Sequence, residues 1–352
     1  MAEAIIKIYD SVNDRAAWLD LLGGTPDVYF RPEWLTIHLD GEPGSSKGTL
    51  FSYQEGDAQW YYPFILRELP KEYGVEGCDI ESAYGYGGPI VQRVEGTEEG
   101  FVKRARMAFE EWCVERQVVA EFCSFHPLFK NEEWMGGMRT LHDRNTVSLD
   151  LSNDDLEASY SSDGRYMIRR GKKEGIEIVQ VSVDEGYAQF VELYLTAMKQ
   201  MKASAFYLFN DEYFHQLGCL VKETGFILAA MLNGKWVAAS LFLYGDEALH
   251  YHLSANHFEI KAPGATNMLL HHAALLGREK GLKFFHYGGG RSTDEKDSLF
   301  KFKRSMGSDV HQYIIGKSVH NQVAYDDVIG QWETKNRELV EKMKARLLRY
   351  RI

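Results

Sequence analysis

Four segments of this 352-residue chain combine residue types able to do chemistry. The first is Tyr84-Gly85-Tyr86-Gly87-Gly88-Pro89, whose glycines leave backbone N–H groups unshielded and allow positive φ, as a loop that touches a ligand needs. The second is the cation cluster Arg165, Arg169, Arg170, Lys172 and Lys173. Arg165 and Arg169 are four apart, so on a helix they share a face, and arginine forks suit a phosphate or pyrophosphate. The third is Lys261-Ala262-Pro263-Gly264-Ala265-Thr266-Asn267, a helix entry after a strand, where exposed N–H groups and the helix dipole favour an anion. The fourth is His286-Tyr287-Gly288-Gly289-Gly290-Arg291 followed by Phe300-Lys301-Phe302-Lys303-Arg304, which sets flexible backbone beside positive charge fit for an oxyanion or a phosphate. Each has a plainer alternative: a tight turn, a solvated helix face or an ordinary amphipathic helix.

Other chemistries lack their signatures. His250, His252, His257, His271, His272 and His286 fall in one half, but no carboxylate or cysteine stands at ligand spacing and HExxH is absent, so no metal site is expected. Gly-x-Ser-x-Gly, the P-loop and the dinucleotide fingerprint are also missing.

The elements that must position these segments follow from periodicity. In the first half a strand is predicted at Ile5–Tyr9, then helices at Arg15–Leu22 and Pro32–Leu39, with Pro26 and Pro32 as turn or helix-start signals. A hairpin follows, Thr49–Tyr53 and Gln59–Leu66 around Glu55-Gly56-Asp57. Next come the glycine segment, a helix over about Glu98–Arg116 and an apolar strand Val118–Phe125. In the second half Tyr166–Lys173 reads as a basic helix, Ile176–Val181 as a strand and Tyr187–Met201 as a helix. A second hairpin, Phe226–Leu232 and Trp236–Tyr244, turns at Asn233-Gly234 and continues into Ala248–Ser254. The helix Ala265–Lys280 and the strand Leu282–Tyr287 close the unit. The halves repeat one order: helices, antiparallel hairpin, glycine-containing connection, amphipathic helix, buried strand. That predicts an α/β (α+β) fold of two like subdomains, 1–150 and 151–319, each a mixed, mostly antiparallel sheet flanked by helices, with a helical tail at 320–352. The tail is expected to dock on the body or on a second subunit, the latter giving a homodimer.

Composition sets the class. Hydrophobic residues at 45% and aromatics at 13% fill a sizeable core and exclude general disorder. The net charge of -11 speaks against a globally basic nucleic-acid binder. Yet residues 1–150 hold 14 basic and 26 acidic side chains, whereas 151–352 hold 26 and 25, so the second half suits a phosphorylated ligand. Four unpaired-looking cysteines, no signal-peptide pattern at the start and no apolar run of about 18 residues predict a cytoplasmic chain without a membrane span.

Taken in order, Tyr86-Gly87-Gly88-Pro89, Arg165-x3-Arg169-Arg170 before Lys172-x2-Gly175, His250-Tyr251-His252-Leu253-Ser254, Pro263–Asn267, Gly288-Gly289 and Phe300-Lys301-Phe302-Lys303 resemble the Fem-type peptidoglycan-bridge aminoacyltransferases and the GNAT-like acyltransferases of bacterial polysaccharide operons. The resemblance covers nearly the whole chain, most specifically residues 160–307, and no long inserted coiled coil is evident. It implies two GNAT-like subdomains and transfer of an aminoacyl or acyl group to an amine on a cell-wall or polysaccharide precursor. No cofactor is tightly bound; the donor is an aminoacyl-tRNA or an acyl-CoA, and the partners are a sugar-linked, phosphorylated acceptor and a charged tRNA. Lys303, with Lys301 as the register alternative, matches the lysine that stabilises the tetrahedral intermediate. Arg169, within Arg165–Arg170, matches the arginine that holds precursor phosphate. Tyr84, Tyr86, Gly87 and Gly88 join the acceptor side, and Gly264, Ala265, Asn267, Gly288 and Gly289 the donor side. In GNAT acetyltransferases the helix entry reads Gln or Arg, two residues, Gly, one residue, Gly or Ala; here only Gly264 fits, and Glu259 adds a repelling charge. For the base, His252, Tyr251 and Asp297 all stay open. Acetyl-CoA-dependent N-acetylation of an amino sugar or small amine, and a non-catalytic module for a phosphorylated or glycosylated ligand, are the alternatives.

Overall fold

The computed structural model describes residues 4–23, 27–39, 45–92, 100–204, 207–294 and 296–352; Pro26 and Glu98 lie outside the described residues. The chain forms two units, one of residues up to Gly23 with Tyr29–Asp143 and Tyr313–Ile352, the other of Gly24–Val28 with Arg144–Gln312.

The first unit runs β1 (Ala4–Asp10), α1 (Arg15–Leu22), α2 (Pro32–Ile37), β2 (Ser46–Glu55), β3 (Ala58–Glu68), β4 (Cys78–Glu81), β5 (Ile90–Gln92), α3 (Phe101–Glu115) and β6 (Val118–Ser124). The strand β7 (Arg139–Asp150) then enters the second unit, which continues α4 (Ser162–Lys173), β8 (Glu177–Val181), α5 (Val183–Gln200), α6 (Asp211–Thr224), β9 (Gly225–Leu232), β10 (Lys235–Tyr244), β11 (Ala248–Asn256), α7 (Ala265–Glu279), β12 (Phe284–Gly289) and α8 (Ser298–Met306). β13 (Asp309–Val319) returns to the first unit, where α9 (Gln322–Lys335) and α10 (Val340–Met343) end the chain.

Strand order is β1-β2-β3-β4-β6-β13 in the first unit, with β5 on β3, and β8-β9-β10-β11-β12-β7 in the second. In each, one parallel pair, β4 with β6 and β11 with β12, interrupts an otherwise antiparallel sheet. The tandem α/β organisation expected from the sequence is therefore the fold. β7 pairs with β12 and β13 with β6, so each half of the sequence gives a strand to the other half's sheet.

Local chemistry explains the elements. Asn233 and Gly234 both take positive φ (52° and 74°), the turn that joins β9 to β10 without splaying them. In the first unit Phe51, Trp60, Tyr62 and Phe64 of the β2–β3 hairpin pack on Phe101, Phe109 and Trp112 of α3. In the second unit α7 lies on Leu149, Phe285, Leu249, Phe242 and Leu228. α9 covers the first unit's Leu69, Tyr73 and Val119 with Val328, Ile329 and Trp332. Among the described residues no helix is long and apolar enough to cross a membrane.

Candidate active site

The second unit concentrates the candidate chemistry around one break in its sheet. β11 and β12 pair in parallel at only three positions, ending at His250 opposite His286. Beyond them β11 follows β10 and β12 follows β7, so the two strands part and leave a wedge. A register shift opposite Leu241/Phe242 leaves His252 as the extra residue of β11, and bulges of this kind re-aim side chains beside active sites.

α8 carries Lys303 to this region. Asp297 caps the helix, accepting from the N–H groups of Leu299 and Phe300, both at 2.9 Å, and Phe300, Phe302 and Met306 pack on the core under α7. Lys303 shares that inner face, is 9% exposed, and its Nζ donates to the carbonyl oxygen of Gly289 at 2.7 Å. Burial pushes the Lys303 ammonium down to about 7, with Asp297 pulling it up and Arg144 pushing it further down. Arg144 in turn donates to the carbonyl of Gly290 at 3.1 Å and so helps hold the glycine run. Lys301, on the other face of α8, is exposed.

The first turn of α7 forms a second feature. Gly264, at φ +88°, precedes the helix, and α4 crosses it closely: a Cβ on Gly264 would fall on the carbonyl oxygen of Met167, and one on Gly171 on the sulfur of Met268. A cavity of about 670 Å³ remains beside this crossing, lined by Arg170, Lys261, Gly264, Ala265, Asn267 and Phe302 among others. Asn267 is buried, its Nδ2 3.3 Å from Met306 Sδ, which ties α7 to α8. The lining sets two cations, Arg170 and Lys261, and the start of α7 against one carboxylate, Glu174, a balance that favours an anionic group.

The cations of α4 do not act as one clamp. Arg170 reaches the α7 cavity and lies 3.8 Å from Glu174. Arg165 donates to the carbonyl of Tyr160 and lines a separate cavity of about 750 Å³ with His271 and Arg278. Arg169 is exposed. On β11, His252 Nε2 is 3.2 Å from the Tyr213 hydroxyl, and burial raises the Tyr251 phenol above its ordinary range, so at neutral pH Tyr251 donates rather than accepts a proton.

Tyr84, Tyr86, Gly87 and Gly88 belong to the first unit. Their glycines have packing reasons: a Cβ on Gly85 would meet the Tyr29 ring, and one on Gly88 the Asn131 amide. Asn131 Nδ2 donates to the Gly87 carbonyl at 2.8 Å, and the Tyr86 ring stands edge-on to Tyr29 and His126. Thus the structure groups Lys303 with Gly289, and Gly264, Ala265 and Asn267 with Arg170, while the tyrosine–glycine loop is built into a different unit. Arg144 escaped the sequence reading because nothing local to it marks its reach to Gly290.

Residues 159–304 match the family model described as an acetyltransferase (GNAT) domain. That span starts just before α4 and ends in α8, so the second unit is a domain of the GNAT acyltransferase superfamily, enzymes that carry no tightly bound cofactor and take their acyl group from a co-substrate. No curated protein matches the sequence. Among solved structures, FemX has a TM-score of 0.61 at 12% identity, covering 79% of this chain and 89% of its own. L-PGS from Bacillus licheniformis gives 0.58 at 13% identity over 91% and 96%. The C-terminal domain of a lysylphosphatidylglycerol synthetase from Agrobacterium fabrum gives 0.56 at 13% identity over 94% and 97%. At such identities the likeness is one of fold.

Proposed function

We propose that this chain is an N-acyltransferase that forms an amide by passing an acyl or aminoacyl group from an activated donor to an amine on a phosphorylated, sugar-linked envelope precursor. The observation that carries the reading is Lys303, a nearly buried ammonium anchored on Gly289 beside the wedge between β11 and β12. Attack of an amine on an ester or thioester builds negative charge on the carbonyl oxygen, and a fixed cation in a site poor in water stabilises it far better than an exposed one. The α7 cavity with Arg170 and Lys261 supplies a place for the anionic end of the donor. The exposed Arg169, on the same helix, is available for the phosphate of the acceptor. One fold neighbour bears the name lysylphosphatidylglycerol synthetase, and the aminoacyl alternative of this reading leans on that name.

The α7 cavity also favours a second reading, N-acetylation of an amino sugar or small amine with acetyl-coenzyme A as donor. Calorimetric titration with acetyl-coenzyme A and with aminoacyl-tRNA, followed by mass spectrometry of amine acceptors, separates the two. Transfer from the tRNA alone supports the first reading, transfer from the thioester alone the second. Binding of a nucleotide-linked sugar with no transfer from either donor would overturn both.

A further inference from the structure

The second unit's sheet lines up polar side chains where an apolar row would serve packing equally well. His250 of β11 pairs directly with His286 of β12, and His286 with Ser148 of β7. Residues in register project from the same face of a sheet. The neighbouring row, Leu249, Phe285 and Leu149, is buried in the core beneath α7, so alternation sets the polar row on the opposite face. Ser148, His286 and His250 are all buried.

The row continues at both ends. His250 Nε2 bonds the buried carboxylate of Asp27, and Ser148 Oγ lies 2.7 Å from Nε2 of His311 on β13, which is half-buried. Between them the rings of His250 and His286 stand edge to face with centroids 5.6 Å apart. Gly245, in the turn between β10 and β11, makes the first junction possible: a Cβ there would meet the Asp27 main chain at 2.5 Å. Further along β11, His252 bonds Tyr213 of α6. The line Asp27, His250, His286, Ser148, His311 therefore runs from a buried carboxylate, past the point where β11 and β12 part, to an imidazole in reach of solvent.

Burying such groups is unfavourable unless they are bonded; bonds close both ends of the row, His250 to Asp27 and Ser148 to His311, and His286 stands between them in register with His250 and Ser148. We propose that the row is a proton relay for the transfer reaction, a role that rests on the N-acyltransferase reading. When a protonated acceptor amine is acylated, the C–N bond forms and the bond from the acyl carbon to the leaving group breaks. The nitrogen loses two protons, of which the leaving group takes one and one is released. His286, at the apex of the wedge, receives the released proton. The Ser148 hydroxyl passes it to His311 and so to solvent, while the Asp27 carboxylate holds His250 so as to offset the transient imidazolium. The relay answers the question of the base with residues other than His252 or Tyr251.

Imidazole NMR titration of the whole protein tests the relay without needing turnover. His286 and His311 are expected to titrate as a coupled pair, and Ser148→Ala to separate their curves; independent curves in the unaltered protein would overturn the proposal. Kinetics add a second arm. Ser148→Ala and His311→Asn are expected to lower kcat about 10²-fold at pH 6 with donor KM unchanged, the loss shrinking toward pH 9 as free amine becomes abundant. An equal loss at every pH would mark a structural effect and overturn the relay. Asp27→Asn, nearly isosteric, guards against misfolding of the serine variant and should give the same pH-dependent loss. If the unaltered protein transfers from no donor, the N-acyltransferase reading fails, while the NMR coupling still decides whether the row exchanges protons.

Discussion

The Lys303 Nζ lies 2.7 Å from the Gly289 carbonyl oxygen, joining the inner face of α8 to the end of β12 that pairs with β7. One neutral carbonyl is a weak partner for a buried charge, which is why burial brings the ammonium down to about 7. Lys303→Ala is expected to reduce acyl transfer by about 10²–10³-fold, the range found on loss of one oxyanion donor, with donor binding by calorimetry unchanged. Full turnover in that variant would remove Lys303 from the mechanism.

The same pair predicts a pH limb. If the ammonium form stabilises the oxyanion, the rate falls as the pH rises through about 7 and Lys303 loses its proton. Lys303→Arg, which stays charged, should shift that limb beyond pH 10 even if the rate drops. Removing the Asp297 charge by Asp297→Asn should move the limb to lower pH, since that carboxylate is what pulls the ammonium up. Profiles of kcat/KM for the three proteins check this, and superimposable profiles would contradict it.

Stability carries the opposite sign. With a folded pKa near 7 and an ordinary value of 10.5, the folded chain binds fewer protons than the unfolded chain between those limits, so stability from this group rises with pH across the window. Below pH 7 the fold bears the full penalty of a buried charge. Lys303→Met should therefore raise stability by about 1–3 kcal/mol at pH 6 and by much less at pH 10, measurable by urea unfolding at both values.

The first unit holds a different kind of buried ion pair. Arg106 grips Glu121 through two bonds of 3.0 and 2.8 Å, and His320 adds a third at 2.9 Å. Burial alone would raise the Glu121 carboxyl; Arg106 and His320 outweigh it and hold it at about 2. Its contribution is complete above about 4.5 and lost as the pH falls through about 2. Glu121→Gln leaves the buried Arg106 guanidinium with the more exposed Glu110 carboxylate, 2.9 Å from its Nε, as its remaining anion and should cost about 3 kcal/mol at pH 7, read from denaturant midpoints.

How far the sequence reveals this protein depends on the range of the signal. Local signals succeed: Asn233-Gly234 marks the β9–β10 turn, and Phe101, Ala105, Phe109 and Trp112 mark the face of α3. α6 carries a signal of the same local kind, the Asn210 cap followed by the stripe Tyr213, Phe214, Leu217, Leu220 and Val221. Duplication is visible because both halves repeat the order of their elements. The destinations of β7 and β13 are not, because each leaves its own repeat to pair in the other unit's sheet. That exchange brings Ser148 opposite His286 and leaves the polar row without any local trace. Arg165 and Arg169 show the converse: helical spacing groups them, but the packing of Gly164 and Gly171 against α8 and α7 turns Arg165 onto main-chain carbonyls and leaves Arg169 outside.

The α4–α7 crossing supplies the sharpest structural test. Gly264 combines φ +88° with a site where a Cβ would fall on the Met167 carbonyl, whereas Gly175, at φ +77°, has nothing within 4 Å of such an atom. Both substitutions to alanine force a left-handed residue, which alone costs about 1 kcal/mol or more. Only Gly264→Ala must also push α4 away from the first turn of α7 and so reshape the cavity lined by Arg170 and Lys261. Gly175→Ala should lower stability slightly and leave donor binding intact. Gly264→Ala should lose both, by at least 2 kcal/mol in unfolding and about tenfold in donor affinity. Equal behaviour of the two variants would show that the crossing does not shape the donor site.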